Sequence, residues 1–195
     1  MKERPILFGG WAIPKILDGS KTQTRRVRKG NTSGLCPYGY PGDRLWVRET
    51  FCIESSREVG PYEPPFKDGR PCRWHENDAW GFYWEQPHYR ATDPTPELEI
   101  GTGDPGVKWS PSIHMPRWAS RITLEIVSVR VERVQEISET DAGAEGVDWY
   151  SIENKIDGIE RCQQAFIKLW NSINAKRGFG WDENPHVRVI EFKKL

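Results

Sequence analysis

The sequence lacks an excess of either charge and lacks any long apolar run. Its 28 lysines and arginines balance 28 aspartates and glutamates, so long-range attraction cannot hold a polyanion, and any nucleic-acid site must be a local cluster of basic residues. No apolar run approaches the roughly 20 residues that span a bilayer, and the first residues lack the apolar stretch of a signal peptide. The composition therefore predicts a cytoplasmic protein without membrane contact.

The sequence also lacks a regular pattern of cysteines. Its four cysteines lie at positions 36, 52, 72 and 162, and this wide, irregular spacing favours free thiols over a disulfide framework. Cys72 and His75 stand at a metal-ligand spacing, but no second pair of this kind accompanies them. We therefore expect neither a metal site nor a cofactor.

Regular patterns occupy the two ends of the chain, and an irregular segment lies between them. Residues 11–19 predict a short helix that ends at Gly19 in the left-handed conformation, and residues 21–27 and 44–51 predict strands. Residues 53–112 contain nine prolines and show no sustained period. This segment therefore predicts a long irregular insertion or long loops, in which HYRAT, residues 88–92, is a candidate strand.

The C-terminal end alternates strands and helices. Residues 120–134 predict a long strand or a bent pair, and residues 138–146 predict a short helix whose dipole favours Glu139 at its start. An amphipathic helix over 159–174 and a closing strand over 186–193 follow. The predicted apolar face of the amphipathic helix contains Ile159, Cys162, Phe166, Leu169 and Ile173.

Four segments of these ends resemble the ASCH family. ILDGSKTQTRR, residues 16–26, is similar to its Gly-x-Lys-x-x-Thr-x-Arg signature, in which a short helix ends at a glycine and a strand bearing the lysine, threonine and arginine follows. YPGDRLWVRE resembles the family's Gly-Asp-x-Leu-x-Val strand, while ITLEIVSV and RVIEFKKL resemble its later strands. The order of the four segments matches as well.

The resemblance covers residues 1–52 and 113–195 and implies an α+β fold. The expected architecture is a small PUA-like β-barrel with flanking α-helices, in a single domain over 1–195 that carries the insertion at about 53–112. Relatives of this superfold bind RNA or modified bases. The tract WSPSIHMPRWASRITLEI further resembles ASCH proteins of bacteriophages and prophages.

The signature strand predicts a polar face. Because residues two apart on a strand share a face, one side of this strand should carry hydroxyls and guanidinium groups, with Lys21 at the turn that enters it. The residues on that side are Thr22, Thr24, Arg26 and Arg28. Such a face can bind a phosphate or a base carbonyl, although a solvated edge strand is the alternative. Arg25, on the other side, is expected to lie in solvent.

One branch of the family implies a reaction. Its small members are amidohydrolases of acylated cytidine, and the resemblance assigns their catalytic set to Lys21, Thr24 and Glu145. Neutral Lys21 would take a proton from Thr24 or a water, the oxygen would attack the amide carbonyl, and Glu145 would donate to the leaving nitrogen. Arg26 would stabilise the oxyanion. The alternative for Glu145 is a solvent-exposed residue at a helix end.

Two further groups of residues are candidates for nucleic-acid contact. One group precedes the long strand and suits a base edge and a phosphate, although a buried Trp118 with surface arginines is the alternative; it consists of His114, Arg117, Trp118 and Arg121. The aromatic residues of the insertion form either a stacking wall for a base or a small core. They are Trp74, Trp80, Phe82, Tyr83, Trp84 and Tyr89.

The sequence thus leads to one main hypothesis and two alternatives. The main hypothesis is a cleft that binds RNA or a modified nucleoside or nucleotide and hydrolyses an N-acyl bond on the base. A non-catalytic reader of RNA or DNA and a phage accessory protein are the alternatives. The main hypothesis predicts that Lys21, Thr24, Arg26 and Glu145 converge in the folded protein.

Overall fold

The computed structural model describes residues 1–28, 36–55, 69–77, 81–93, 108–147 and 161–195. The strands are β1 (Glu3–Leu7), β2 (Gln23–Val27), β3 (Arg44–Arg48), β4 (Phe51–Ser55), β5 (Arg73–Asn77), β6 (Gly81–Tyr89), β7 (Thr123–Arg133) and β8 (His186–Lys194). The α-helices are α1 (Ala12–Leu17), α2 (Glu139–Ala144) and α3 (Arg161–Asn174). This mixture confirms the predicted α+β class. No helix in the described ranges is long and apolar enough to cross a membrane.

Five strands form one sheet in the order β1, β3, β7, β8, β2. β8 pairs antiparallel with both β7 and β2, and the β7 register shifts between Ile126 and Ser128. A closed barrel requires its first and last strands to pair. Because β1 and β2 stand at opposite ends of this order, the described strands form an open sheet, and the expected small barrel is not closed.

The chain divides into two compact units. The first contains Met1–Arg4, Lys15–Leu45 and Leu124–Leu195, and the second contains Pro5–Pro14 and Trp46–Thr123. The second unit includes the segment over which the sequence predicts an insertion. The expectation of a single domain over 1–195 stays a prediction.

The first unit has an apolar core between its sheet and two helices. The buried core residues are Val134, Ile137, Ala142, Phe166, Trp170, Val187 and Val189. Val187 and Val189 come from alternate positions of β8, so one face of that strand turns towards α2 and α3. The predicted face of α3 is wrong at its C-terminal end, because Ile173 is 48% exposed while Trp170 and Asn174 are buried. Ile159 lies outside the described residues.

The helix ends follow local sequence signals. Gly19, with φ +82°, follows α1, and the hydroxyl of Ser138 accepts the Asp141 N–H at 3.0 Å at the start of α2. The Glu139 carboxylate accepts the N–H groups of Cys162 and Gln163 at 2.6 and 3.0 Å. Glu139 therefore caps the start of α3 in addition to lying in the first turn of α2.

The second unit contains a three-stranded antiparallel sheet in the order β4, β6, β5. The expectation of an irregular insertion is therefore wrong for the described part of this segment, and the candidate strand over residues 88–92 is confirmed for His88 and Tyr89, which end β6. Proline density misled the prediction, because Pro87 lies inside β6, opposite Ile53. The core of this unit contains Phe51, Tyr89, Met115 and Ala119, with Trp118 packed against it.

The aromatic residues of this segment divide between core and surface. Trp84 and Tyr89 are buried, which favours the small core over the stacking wall for these two. Trp74 is 54% exposed. Trp80 and the side chains of Phe82 and Tyr83 lie outside the described part of the structure.

The cap provided by Glu139 gives a stability prediction. Glu139→Ala should lower the free energy of unfolding by about 1 to 2 kcal/mol, because two amide groups at the start of α3 lose a charged acceptor. Urea unfolding followed by circular dichroism measures this change. Glu125→Ala is the control, since the Glu125–Lys193 pair is exposed and should contribute less than about 1 kcal/mol. Equal effects of the two substitutions would contradict the cap.

Candidate functional site

The signature turn lies against the C-terminal end of α2. The Lys21 N–H donates to the Lys15 carbonyl at 2.8 Å, and the Thr22 N–H donates to the Ala144 carbonyl at 2.9 Å. These backbone hydrogen bonds join the end of α1, the start of β2 and the residue before Glu145. The chain thereby brings Lys21 and Glu145 together across 124 positions of sequence.

Lys21 and Glu145 form a buried ion pair. Lys21 Nζ lies 2.9 Å from Glu145 Oε2, and it also donates to the carbonyls of Glu145 and Gln23 at 2.7 and 2.8 Å. Lys21 is 3% exposed and Glu145 is 5% exposed. Three acceptors around one nitrogen match the three hydrogens of an ammonium group. The resting geometry is therefore that of a charged lysine held by the end of α2.

Two opposing effects act on the proton of Lys21. Burial lowers the pKa of Lys21 below its ordinary value of 10.5, and the charge of Glu145 opposes this shift. Burial has the larger effect. A desolvated lysine loses its proton more readily than one in water. The pair is therefore placed for proton transfer across a single 2.9 Å contact.

Gly146 allows this close approach. Its φ of +74° is a left-handed conformation that side chains disfavour, and it is the residue that follows the α2 C-cap, Glu145. A Cβ at Gly146 would lie 2.8 Å from Lys21 Cβ and 3.3 Å from Lys15 Cβ. The glycine expected near the end of this helix is thus also the residue that leaves room for Lys21.

Arg25 is the residue that the sequence analysis missed. Its side chain is fully buried, and the expectation that it lies in solvent is wrong. Nη1 donates to Gln23 Oε1 at 2.5 Å and to Glu145 Oε1 at 3.2 Å. Nη2 donates to Glu132 Oε1 at 2.7 Å and to Asp141 Oδ2 at 3.0 Å. One guanidinium group therefore joins β2 to β7 and to both ends of α2.

Arg130 extends this network. It donates to Asp141 Oδ2 at 2.8 Å and to Glu132 Oε2 at 3.0 Å, and it forms a further ion pair with Glu191. The two arginines thus form ion pairs with four carboxylates, Glu132, Asp141, Glu145 and Glu191. Buried carboxylates need such partners, because an unpaired charge is costly inside a protein.

The register of β2 explains why the predicted face was incomplete. Gln23 and Arg25 pair with Glu191 and Val189, on the side that α2 and α3 cover. Thr24 and Arg26 pair with Ile190 and Arg188, and their side chains point to the other side. Lys21, Gln23 and Arg25 also stand two residues apart. This second row of polar residues was the sequence signal that indicated a polar group on the helix-covered side of β2.

The structure divides the remaining predicted residues of the signature. Thr24 is buried at 5% exposure, and Arg26 is half-buried. Desolvation lowers the pKa of Arg26, while nearby Tyr38 and Glu145 oppose that shift. Thr22 is exposed, and its backbone N–H donates to the Ala144 carbonyl. Arg28 is half-buried, and its backbone N–H donates to the His186 carbonyl at 2.9 Å. Arg26 and Glu145 are therefore close enough to interact electrostatically, whereas catalytic roles stay predictions.

The other predicted binding residues belong to the second unit. His114 ends one short 3-10 helix, and Arg117 and Trp118 lie in the next. His114 and Arg117 are exposed, and Trp118 is half-buried. Arg121, the fourth predicted residue of this group, is half-buried and donates to both oxygens of buried Glu49 at 3.0 Å, so its guanidinium is paired within this unit.

The described residues contain no group of three or more histidine, cysteine, aspartate or glutamate side chains that could hold a metal ion. His75, which with Cys72 has a metal-ligand spacing, contacts Glu85 through Nε2 at 2.8 Å. The four cysteines are free thiols.

Comparison with known proteins gave two similar solved structures. No family model and no curated protein matches the chain. A high-resolution crystal structure of an ASCH domain from Lactobacillus crispatus JV V101 is 13% identical, with a TM-score of 0.45, over 99% of this chain and 79% of that one. The crystal structure of hypothetical protein PH0355 is 11% identical, with a TM-score of 0.38, over the full length of both chains. Similarity at this level carries no argument about the site.

The burial of Arg25 leads to a large expected effect. Arg25→Met should lower the free energy of unfolding by about 3 to 5 kcal/mol, because Glu132, Asp141 and Glu145 lose a shared buried cation. Urea unfolding measures the change. Arg133→Met, at an exposed arginine that donates to the Asn184 carbonyl, should cost less than about 1 kcal/mol. A small effect at Arg25 would show that the carboxylates find other partners.

Asp141 gives a prediction about pH. Burial raises the pKa of Asp141, but hydrogen bonds from Gln23 and Arg25 and the charges of Arg25 and Arg130 outweigh burial and lower the pKa below 3.8. A carboxylate with a lowered folded-state pKa stabilises the fold above its unfolded-state pKa, and this contribution is lost as pH falls through the folded-state pKa. The unfolding free energy of the wild type should therefore fall more steeply than that of Asp141→Asn between about pH 5 and about pH 2.

Urea unfolding at a series of pH values tests this expectation. Asp182→Asn, at an exposed aspartate, controls for the change in net charge. Parallel curves for the wild type and Asp141→Asn would contradict the role assigned to the two arginines.

Proposed function

We propose that the first unit binds a nucleoside or a modified base, free or within RNA, beside the Lys21–Glu145 pair and hydrolyses an N-acyl amide on that base. The observation that carries this proposal is the buried 2.9 Å contact between Lys21 Nζ and Glu145 Oε2. The resemblance of residues 16–26 to the ASCH signature supports it, because that resemblance assigns catalytic roles to Lys21, Thr24 and Glu145. The two lines of support are independent of each other.

The pair supplies both protonation states that amide hydrolysis requires. Transfer of one proton from the ammonium to the carboxylate leaves a neutral amine and a carboxylic acid, and burial reduces the cost of this transfer by disfavouring the charged forms. Because the Thr24 side chain points to the other side of β2, Lys21 then removes a proton from a water, and the water oxygen attacks the amide carbonyl. Glu145 protonates the leaving nitrogen as the C–N bond breaks. With water as the nucleophile, the products are a carboxylic acid and the free amine.

Arg26 provides the positive charge for the oxyanion in this scheme. Its interaction with the charges of both Lys21 and Glu145 supports a position near the reacting groups. A guanidinium group donates in a fixed planar fork, which suits an oxyanion or a phosphate. Thr22 and Arg28 share the period-two pattern of Thr24 and Arg26 in the sequence. They are the proposed contacts to the sugar or phosphate of the ligand.

A non-catalytic reader of a nucleoside or of RNA is the second candidate. It is favoured by the three acceptors that surround Lys21 Nζ, since they stabilise the ammonium and make Lys21 a fixed cation. The two candidates differ in whether Lys21 must lose its proton. They therefore differ in the expected behaviour of arginine at this position, because arginine keeps its charge and does not deprotonate in proteins.

Lys21→Arg should separate the two candidates. In the hydrolase, kcat for N-acetylated cytidine should fall about 100-fold or more, because a general base contributes at least that factor. The affinity for the nucleoside should change little. The assay follows the release of acetate and cytidine, and calorimetry measures binding. Lys176→Arg makes the same change at an exposed site and is the matched control.

Glu145→Gln provides a second variant in case arginine does not fit the buried space. It keeps the size of the side chain and removes its acid function, so the hydrolase should again lose turnover. Turnover by Lys21→Arg near the wild-type rate would exclude the lysine as the base. Saturable nucleoside binding by the wild type without acetate release would establish the reader instead.

A further inference from the structure

Tryptophan and arginine side chains are interleaved in the second unit. The guanidinium carbons of Arg48 and Arg117 lie 5.1 and 5.9 Å from the ring centroid of Trp46. The guanidinium carbon of Arg73 lies 5.8 Å from the ring centroid of Trp118. Because Arg117 and Trp118 are consecutive, the five residues form one continuous group, which we call the Trp46 surface.

The Trp46 surface is open to solvent at its charged positions. Arg73 and Arg117 are exposed, while Trp46, Arg48 and Trp118 are half-buried. Arg48 Nε donates to the Met115 carbonyl at 3.2 Å, which fixes the guanidinium over the indole ring. Within the described ranges, neither Arg48 nor Arg73 forms an ion pair with a carboxylate. Arg48 is thus positioned by the Trp46 ring and a backbone carbonyl, and Arg73 lies over the Trp118 ring.

We propose that the Trp46 surface binds a single-stranded nucleic acid. An indole ring can stack on any base, and an arginine beside it can contact the neighbouring phosphate or stack on the base itself. A duplex hides its base faces within the stack, so the two tryptophans favour an unpaired strand. The surface is formed by different residues from the Lys21–Glu145 site, and the proposal holds whether or not hydrolysis occurs there.

The local charge balance sets the expected character of binding. Residues 46–123 contain 12 acidic and 9 basic residues, so long-range attraction will not draw a polyanion to this unit. In the part of this unit that the structure describes, three arginines lie beside the rings of Trp46 and Trp118. Binding should therefore depend strongly on stacking and only weakly on salt, with a slope of log Kd against log salt of about 2 at most.

A structural role is the alternative for the same contacts. Arginines stacked on tryptophans also stabilise a fold, and removing them would then lower thermal stability alone. If the contacts are only structural, their loss leaves the affinity of the folded protein for nucleic acid unchanged. The discriminating quantity is the affinity of the folded protein for an unpaired oligonucleotide.

The experiment measures anisotropy of a fluorescein-labelled oligouridylate of about twelve nucleotides with the full chain. Trp46→Leu should weaken binding roughly 5- to 100-fold, because one base loses its stacking partner. Trp46→Phe should recover most of the affinity, since it restores an aromatic face. Arg73→Gln and Arg117→Gln should each reduce the salt slope by about 0.7.

Matched controls lie in the same unit. Trp11→Leu removes an exposed tryptophan and Arg90→Gln removes an exposed arginine outside the Trp46 surface, and neither should change affinity. Should Trp46→Leu unfold, the double variant Arg73→Gln/Arg117→Gln, at two exposed positions, still tests the surface. A labelled duplex of the same length should bind more weakly.

Three results would overturn the proposal. They are no saturable binding of the oligouridylate by the wild type, affinity that is equal in the wild type and the Trp46 and arginine variants, and equal competition by polyglutamate. The last result would mean that the surface is a general polyanion site. None of these measurements uses an acylated substrate, so a failure of the proposed hydrolase would leave this test unaffected.

Discussion

The burial of carboxylates around one guanidinium group is the constraint on which the candidate site depends. Glu132, Asp141 and Glu145 come from β7 and from the two ends of α2, and Arg25 contacts all three. Without Arg25, Glu132 and Asp141 would share Arg130 as their cation and Glu145 would keep Lys21, so the loss of one buried cation would cost several kcal/mol. The position of α2 over the sheet is therefore set by charge pairing as well as by the apolar core.

The geometry of the Lys21–Glu145 pair follows from this constraint. The Glu145 carboxylate is shared, with Oε1 on Arg25 and Oε2 on Lys21. Two cations at two oxygens fix the orientation of the carboxylate without help from solvent, as a preorganised site requires. Because Gly146 has no side chain, no atom at that position displaces Lys21. Transfer of a proton from Lys21 to Glu145 also changes the electrostatic potential at Arg25. The Lys21–Glu145 pair therefore belongs to the same charge network as Arg25.

Local signals in the sequence were sufficient for the parts of the fold that local interactions determine. The end of α1 at Gly19, the cap at Ser138 and the end of α2 near Gly146 each depend on a few neighbouring residues. The burial of Arg25 depends on the β2–β8 register and on a helix more than a hundred residues away, and the strand pattern alone did not reveal either. The β5–β6 pair was missed because β5 is mostly polar, with Arg73, His75, Glu76 and Asn77, and because Pro87 interrupts the pattern of β6.

The same residue type serves opposite purposes in the two units because burial decides what an arginine can do. Arg25 has no contact with water, so carboxylates must surround it, and its charge is fully used inside the fold. Arg73 keeps its charged group in solvent, where it contacts the ring face of Trp118. In a chain with no net charge, total charge says nothing about polyanion binding. What matters is which arginines the acidic residues have already neutralised, as they have Arg25.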